Sequence, residues 1–319
     1  VLVFANENPQ KVAVHLRAGK DNLEGTLQLN APKGWGVSSP QLFTLAREGE
    51  TSTLWFTVTP PKNQSQGYLR PLIQIGDSYY DKELINIDYD HIPYQSVLLP
   101  SKAKVVRIDI EKKGQHIGYI QGAGDGVGQS LEQIGYTVTN LDVEEISAQS
   151  LKKYDAVVVG VRAYNTNADL AFAQKELNKY VHQGGTMVVQ YNTSHRLVTK
   201  QLAPYALSLS RDRVTDEFAP VTILEPSHPV LNSPNKITQA DFKDWVQERG
   251  LYFPNKWADE FTPILAMNDK GASQTKGSLL VASYGKGHYV YTGLSFFREL
   301  PAGVPGAYRL FANIISIGK

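Results

Sequence analysis

The chain contains no cysteine. Disulfides, thiolate-bound zinc and catalysis through a thiol nucleophile are therefore excluded. It also lacks an excess of either charge: 32 Lys and Arg face 31 Asp and Glu. No one-signed field draws it to nucleic acid or to anionic lipid, so no nucleic-acid partner is expected. No apolar run approaches the roughly 20 residues that a membrane-spanning helix requires, so no membrane span is expected either. The seven histidines (15, 91, 116, 182, 195, 228 and 288) include no pair at i, i+2 or i+4 and no H-E-x-x-H. With these absences, no metal and no cofactor is expected. The nucleophile elbow G-x-S-x-G is missing as well, because Ser295 in Gly293-Leu-Ser-Phe-Phe297 has phenylalanine where the elbow needs glycine. No catalytic residue is assigned.

What is present is a globular balance of 42% apolar and 20% charged residues over 319 positions, enough for two domains of ordinary size. The chain opens on Val1-Leu-Val-Phe4, with neither a charged nor an apolar leader segment. Either a signal has been removed or the chain is a portion of a longer polypeptide, and the latter is expected.

Residues 1–110 carry strand signals almost throughout, at Lys11 to Arg17, Gly25 to Leu29, Leu42 to Leu45, Ser52 to Thr59, Leu69 to Ile75 and Tyr79 to Asp88. Gly76-Asp-Ser78 reads as a hairpin turn between the last two. Strands at this spacing, punctuated by Pro32, Pro40 and Pro60-Pro61, predict an all-β, immunoglobulin-like antiparallel sandwich. Trp35 is either a sugar-stacking platform or a core tryptophan of that sandwich.

Residues 111–319 change to alternating strand and helix. Strands are expected at His116 to Ile120, Tyr136 to Asn140, Asp155 to Val161 and Gly184 to Val189. Helices are expected from Gln129 and over Ala168 to His182, the latter ending at Gly184-Gly185. A hairpin-like pair, Ser278 to Ala282 and His288 to Thr292, precedes a closing helix over Gly306 to Ile315. The order predicts an α/β doubly wound, mostly parallel sheet of flavodoxin-like type. The glycine loop Gly122-Ala-Gly-Asp-Gly-Val-Gly128 has the wrong spacing for a dinucleotide fingerprint, and Asp125 within it would repel a pyrophosphate.

In such sheets ligands bind beyond the carboxyl ends of the strands. Polar side chains follow two of them, at Val161-Arg162-Ala-Tyr164-Asn165 and at Gln190-Tyr191-Asn192. Asp125, Arg162, Asn165, Gln190 and Asn192 are expected to converge on one cleft. Arg162, just past a buried strand, needs acceptors: an internal carboxylate such as Asp125 or Glu248, or an anionic or polyhydroxylated ligand. Tyr164 and Asn165 would then offer a stacking face and an amide to a saccharide. Asp244 and Glu248, if helical, lie one turn apart, as a carboxylate pair or as a solvated face countered by Arg249. His228, in Ser227-His-Pro229, is expected to order a loop.

Ala31-Pro-Lys-Gly-Trp35-Gly-Val37 with Leu54-Trp-Phe-Thr-Val58 resembles the NEW-type β-sandwich that accompanies α-galactosidases. The region from His116 resembles the class I glutamine amidotransferase-like fold in its trehalose-utilisation-type branch. More closely, Gly118 to Asp125, Gly160 to Asn165, Val188 to Asn192, Asp241 to Tyr252 and Tyr291 to Gly306 resemble the C-terminal region of bacterial PIG-L (LmbE-like) deacetylases. The resemblance implies a non-catalytic accessory region in a secreted deacetylase of N-acetylated sugars, periplasmic or extracellular. Its partners would be an upstream deacetylase domain of the same polypeptide and a saccharide. The residues expected to bind that ligand are Asp125, Arg162, Tyr164, Asn165, Gln190, Asn192, His228, Glu248, Arg249 and Arg298. The alternative is a free-standing glycan hydrolase using Asp244 or Glu248 with His228.

Overall fold

A computed structural model describes residues 1–319, which divide into two compact units, Val1–Asp109 and Ile110–Lys319. The first unit is all β. Its strands are β1 (Leu2–Phe4), β2 (Gln10–Arg17), β3 (Leu23–Asn30), β4 (Gly36–Val37), β5 (Gln41–Leu45), β6 (Thr51–Thr59), β7 (Ser65–Ile75), β8 (Ser78–Tyr80), β9 (Lys82–Ile87), β10 (Gln95–Pro100) and β11 (Ala103–Arg107).

One sheet runs β1-β11-β7-β3-β5, with β8 on β7; a second runs β2-β6-β4. Pairing is antiparallel except between β1 and β11. Alternation decides which side chains are buried: Leu23, Leu27 and Leu29 of β3 point inward, while Glu24, Gln28 and Asn30 face solvent. These leucines share one core with Phe43, Leu69 and Val105 and with Leu16, Phe56 and Val58 of the second sheet. Trp35 belongs to that core. Its ring meets Phe4 edge-on at 5.1 Å, and its Nε1–H donates to Ser65 Oγ at 3.2 Å. It presents no face to a sugar.

The second unit alternates β12 (His116–Ile120), α1 (Val127–Gln133), β13 (Thr137–Asn140), α2 (Ala148–Leu151), β14 (Ala156–Val159), α3 (Ala163–Thr166), α4 (Leu170–His182) and β15 (Thr186–Val189). There follow β16 (Leu207–Val214), β17 (Val221–Ile223), β18 (Gly250–Trp257), β19 (Phe261–Pro263), β20 (Leu265–Met267), β21 (Leu279–Tyr284), β22 (Gly287–Thr292), α5 (Phe296–Glu299) and α6 (Pro305–Ser316). The main sheet has the order β13-β12-β14-β15-β22-β21-β19. Its first five strands are parallel, and β21 and β19 extend it antiparallel. The unit is thus α/β, with a mixed sheet whose larger part is parallel.

The continuous β-branched runs of β14 and β15 are buried on both faces, as parallel strands covered by helices must be. Helix α4 presents Leu170, Ala173, Leu177 and Val181 at helical spacing and buries them against Val157, Val159, Met187, Val189 and Tyr291. The alternate residues Val158, Val188 and Val290 are equally buried and face the other side, where α6 packs on β15. Lys179 and His182 in the last turn suit the negative end of α4, and Gly184, at φ +119°, lets the chain leave it.

Candidate site at the carboxyl edge of the sheet

The strand order reverses at β12, which has β13 on one side and β14 on the other. In doubly wound sheets the crevice outside such a reversal is where ligands bind. Here it is closed. A Cβ on Gly122 would lie 2.1 Å from the carbonyl oxygen of Val161, so only glycine lets the two loops approach this closely. Ala123 N–H donates to that same carbonyl at 2.8 Å.

The Asp125 carboxylate fills the remaining position. It accepts hydrogen bonds from Val161 N–H at 3.0 Å, from Val127 N–H at 3.0 Å and from the Tyr119 hydroxyl at 2.5 Å. A carboxylate on the first amide of α1 occupies the place where such folds otherwise hold an anionic ligand. Burial, together with the Asp125 charge, keeps the Tyr119 hydroxyl protonated well above its usual range. Tyr119 Oη in turn accepts from Gln190 Nε2 at 3.2 Å, so one chain of bonds ties the ends of β12, β14 and β15.

Three more of the expected ligand residues are used by the scaffold. Asn192 Oδ1 accepts from Tyr164 N–H at 2.9 Å, and its Nδ2 donates to Gln190 O at 2.9 Å. Asn165 accepts from Thr193 N–H at 2.9 Å and donates to His195 O at 3.0 Å. Tyr164 is fully buried, and its hydroxyl donates to Gln174 Oε1, so it offers no stacking face.

Arg249 is a further correction. It is 4% exposed, donates to the carbonyls of Ala219 and Phe242, and lies over the Trp245 ring at 5.6 Å. A buried guanidinium that gives three of its five N–H groups to backbone carbonyls fixes the loop before β18.

The accessible chemistry is displaced toward β15 and β22. Tyr191 stacks on Tyr252 of β18, with centroids 6.1 Å apart and planes 9° from parallel, and leans on Phe297 of α5 at 5.2 Å. Arg298 lies over Phe297 at 4.8 Å, and its Nε donates to Glu248 Oε1 at 2.8 Å. Arg162 is exposed rather than desolvated, and its N–H donates to Tyr191 O at 2.9 Å. Burial raises the Tyr191 hydroxyl above its ordinary value. The Arg162 charge opposes that rise, Glu248 adds to it, and Arg298 opposes it. Tyr252 and Phe297 escaped the sequence reading because both sit in stretches whose apolar pattern suggests core.

The backbone of this region is unusual. Arg162, Arg196, Asp244, Gln247 and Tyr252 all take left-handed conformations at φ between 52° and 68°, without being glycine. Each such residue costs about 1 kcal/mol. Asp244 and Gln247 also show that the condition for placing Asp244 and Glu248 on one helix face is not met. A short 3₁₀ turn, Gln239–Phe242, is capped by Thr238, and the chain then breaks at Asp244. Asp244 and Glu248 therefore share no helix face.

Glu299 lies behind this surface, fully buried. Its Oε2 accepts Val246 N–H at 2.9 Å, and its Oε1 has no protein partner. Burial pushes its carboxyl up to about 8, against the pull of Arg249 and Arg298.

His228 stands apart from all of this. Its Nδ1 accepts Val230 N–H at 3.2 Å and caps a 3₁₀ turn, Pro229–Leu231. It lines a cavity of about 540 Å³ with His288, Glu260, Thr262 and Ser283. His288 is the second residue of β22, whereas Phe297 and Arg298 lie beyond its far end, with roughly 13 Å of strand between His288 and that end. The structure does not bring His228 to Glu248.

No protein-family model matches the chain, and no curated protein matches it. Several solved structures are similar to it at low identity. A GMP synthase subunit from Thermoplasma acidophilum shares 13% identity at a TM-score of 0.41, over 64% of this chain and 96% of its own. PurLQS from Thermotoga maritima shares 13% at 0.42, over 65% and 100%. A ThuA-like protein from Bacteroides uniformis shares 14% at 0.40, over 63% and 89%. No helix is long and apolar enough to cross a membrane.

Proposed function

We propose that the second unit is a non-catalytic, amidotransferase-like module that binds saccharide at the carboxyl edge of its sheet. The observation that carries this is the half-buried pair Tyr252 and Phe297, seated on the buried ring of Tyr191 and flanked by the exposed Arg162 and the Glu248–Arg298 pair. Aromatic faces take the apolar faces of sugar rings, and charged hydrogen-bonding groups at their rim take hydroxyls, acetamides or carboxylates.

The wider reading is an accessory region of a secreted PIG-L-type deacetylase, periplasmic or extracellular, following its deacetylase domain, with an immunoglobulin-like NEW-type sandwich as the first unit. Two sequence segments that carry that resemblance support it, because they meet at this surface. Leu251 N–H donates to Gly293 O at 2.9 Å and Ser295 N–H to Arg249 O at 3.1 Å, bringing Glu248 and Tyr252 beside Phe297 and Arg298. A glutaminase is excluded by the absence of cysteine.

The test is calorimetric titration and thermal shift with oligosaccharides of N-acetylhexosamines and uronic acids, alongside an acetate-release assay. Binding that is lost in Tyr252→Ala and Arg162→Ala, with no acetate released, is the expected result. Metal-dependent acetate release by the purified chain would overturn the accessory reading. Failure of every sugar to bind would overturn the saccharide reading.

A further inference from the structure

Residues 82–100 form a ribbon of two strands, β9 and β10, that join neither sheet of the first unit. Leu84 faces Leu98 across it, and Ile85 faces Val97. No residue of the ribbon is buried. Exposure reaches 54% at Leu84, 61% at Leu98, 61% at Tyr89 and 60% at Tyr94. A lone two-stranded ribbon is marginal in water, and this one carries large apolar side chains on both faces and a free edge on each strand. Leu84, Ile85, Tyr89, Tyr94, Leu98 and Leu99, with the neighbouring Tyr79 and Tyr80, expose on the order of 800 Å². Leu84 and Leu98 lie on one face and Ile85 and Leu99 on the other, so one packed face covers about half of that, the small area of a weak, reversible association.

The charges indicate which partner. At the tip, between the strands, stand Asp88 and Asp90. At the root stand Lys82 and Lys102 with Arg70, which outnumber Asp81 and Glu83. Lys102 and Arg70 both lie over the Tyr68 ring, at 5.0 and 5.5 Å. A second ribbon laid antiparallel against the first sets each acidic tip on the other's net basic root. The match is satisfied at both ends by one two-fold axis.

We propose that two copies of this chain associate as a two-fold dimer through antiparallel packing of their 82–100 ribbons. The ribbons bury each other's leucines and tyrosines, and the tip-to-root charge pairs fix the direction. A saccharide surface and a dimer ribbon on separate units would give one assembly two binding faces.

Sedimentation equilibrium of the 319-residue chain tests this, first at low and then at high salt. The expected result is a monomer–dimer equilibrium that salt weakens. Leu84→Lys combined with Leu98→Glu keeps the ribbon paired, because the new charges face each other. It should weaken the dimer about tenfold or more while leaving the unfolding midpoint in place. Because the chain has no cysteine of its own, Asp90→Cys with Lys102→Cys reports the geometry directly. Within one copy the two sites are separated by the length of a six-residue strand, roughly 20 Å, far beyond disulfide reach. Oxidation should give a covalent dimer and nothing larger. A parent chain that stays monomeric at every loading concentration overturns the proposal, as does a dimer unaffected by the Leu84/Leu98 changes. A ladder of higher oligomers on oxidation overturns the two-fold arrangement.

Discussion

The Asp125 carboxylate accepts the backbone N–H of Val161 at 3.0 Å, across 36 residues and around the edge strand β13. With Val127 N–H and Tyr119 Oη it makes an internal anion site that the chain fills itself. Asp125→Ala leaves two amides and a buried hydroxyl without their acceptor. We expect a loss of about 3 kcal/mol, read as a lower urea midpoint at unchanged slope. Asp125→Asn, which keeps one acceptor oxygen, should lose less. A neutral Asp125→Ala would mean that water takes over these contacts.

Glu299 makes stability fall as pH rises. Its carboxyl titrates near 8 in the folded chain against an ordinary 4.5, so between those values the folded state holds a proton that the unfolded state has released. Its contribution is complete below about 4.5 and is lost as pH climbs through 8. Glu299→Gln keeps the acceptor for Val246 N–H and removes the titration. Its advantage over the parent should grow between pH 5 and pH 8, to on the order of 2 kcal/mol. Parallel pH profiles for the two proteins would contradict this.

His228 and His288 work in the opposite direction. Burial lowers both, with Glu225 opposing the shift at His228 and Lys319 adding to it at His288. A depressed imidazole stabilises the fold above its ordinary value of 6.5, and that stability is lost as pH falls below it. Glu260 and the two hydroxyls share the cavity, so protonation of one ring places a charge facing the other. His288→Gln should flatten the decline in melting temperature between pH 7 and pH 5. An unchanged decline would assign acid sensitivity to other groups.

Arg162 separates stability from binding. Its side chain is exposed and its backbone left-handed, at φ 58°. Arg162→Gly should raise stability by about 0.5–1 kcal/mol by removing the Cβ conflict, whereas Arg162→Ala should stay within about 0.5 kcal/mol of the parent. Both should lose any thermal shift that oligosaccharide gives the parent. A variant that binds as the parent does would place the ligand elsewhere.

The elements that the sequence made visible are those whose burial is periodic. The runs at Ala156–Val159 and Thr186–Val189 are apolar throughout, and Leu170–His182 buries one stripe. The ribbon strand Gln95–Pro100 was not visible, because it pairs only with β9 and buries neither face, and so carries no inside-outside pattern. At the sheet edge, the polar residues after the strands stood out as a cluster. Their division of labour did not. Whether an Asn bonds a ligand or the amide of Tyr164 depends on loop geometry that no local pattern encodes. The same limit hid Tyr252, whose pairing with Tyr191 spans 61 residues and a strand of another sheet.

The five non-glycine residues of the second unit held at positive φ have a practical consequence for laboratory evolution. Selection for heat resistance alone, with no ligand present, would be expected to drift first to glycine or asparagine at Arg162, Arg196, Asp244, Gln247 and Tyr252. Selection under ligand would hold some of them in place. The positions at which two such populations diverge would trace the outline of the binding surface, whatever its ligand.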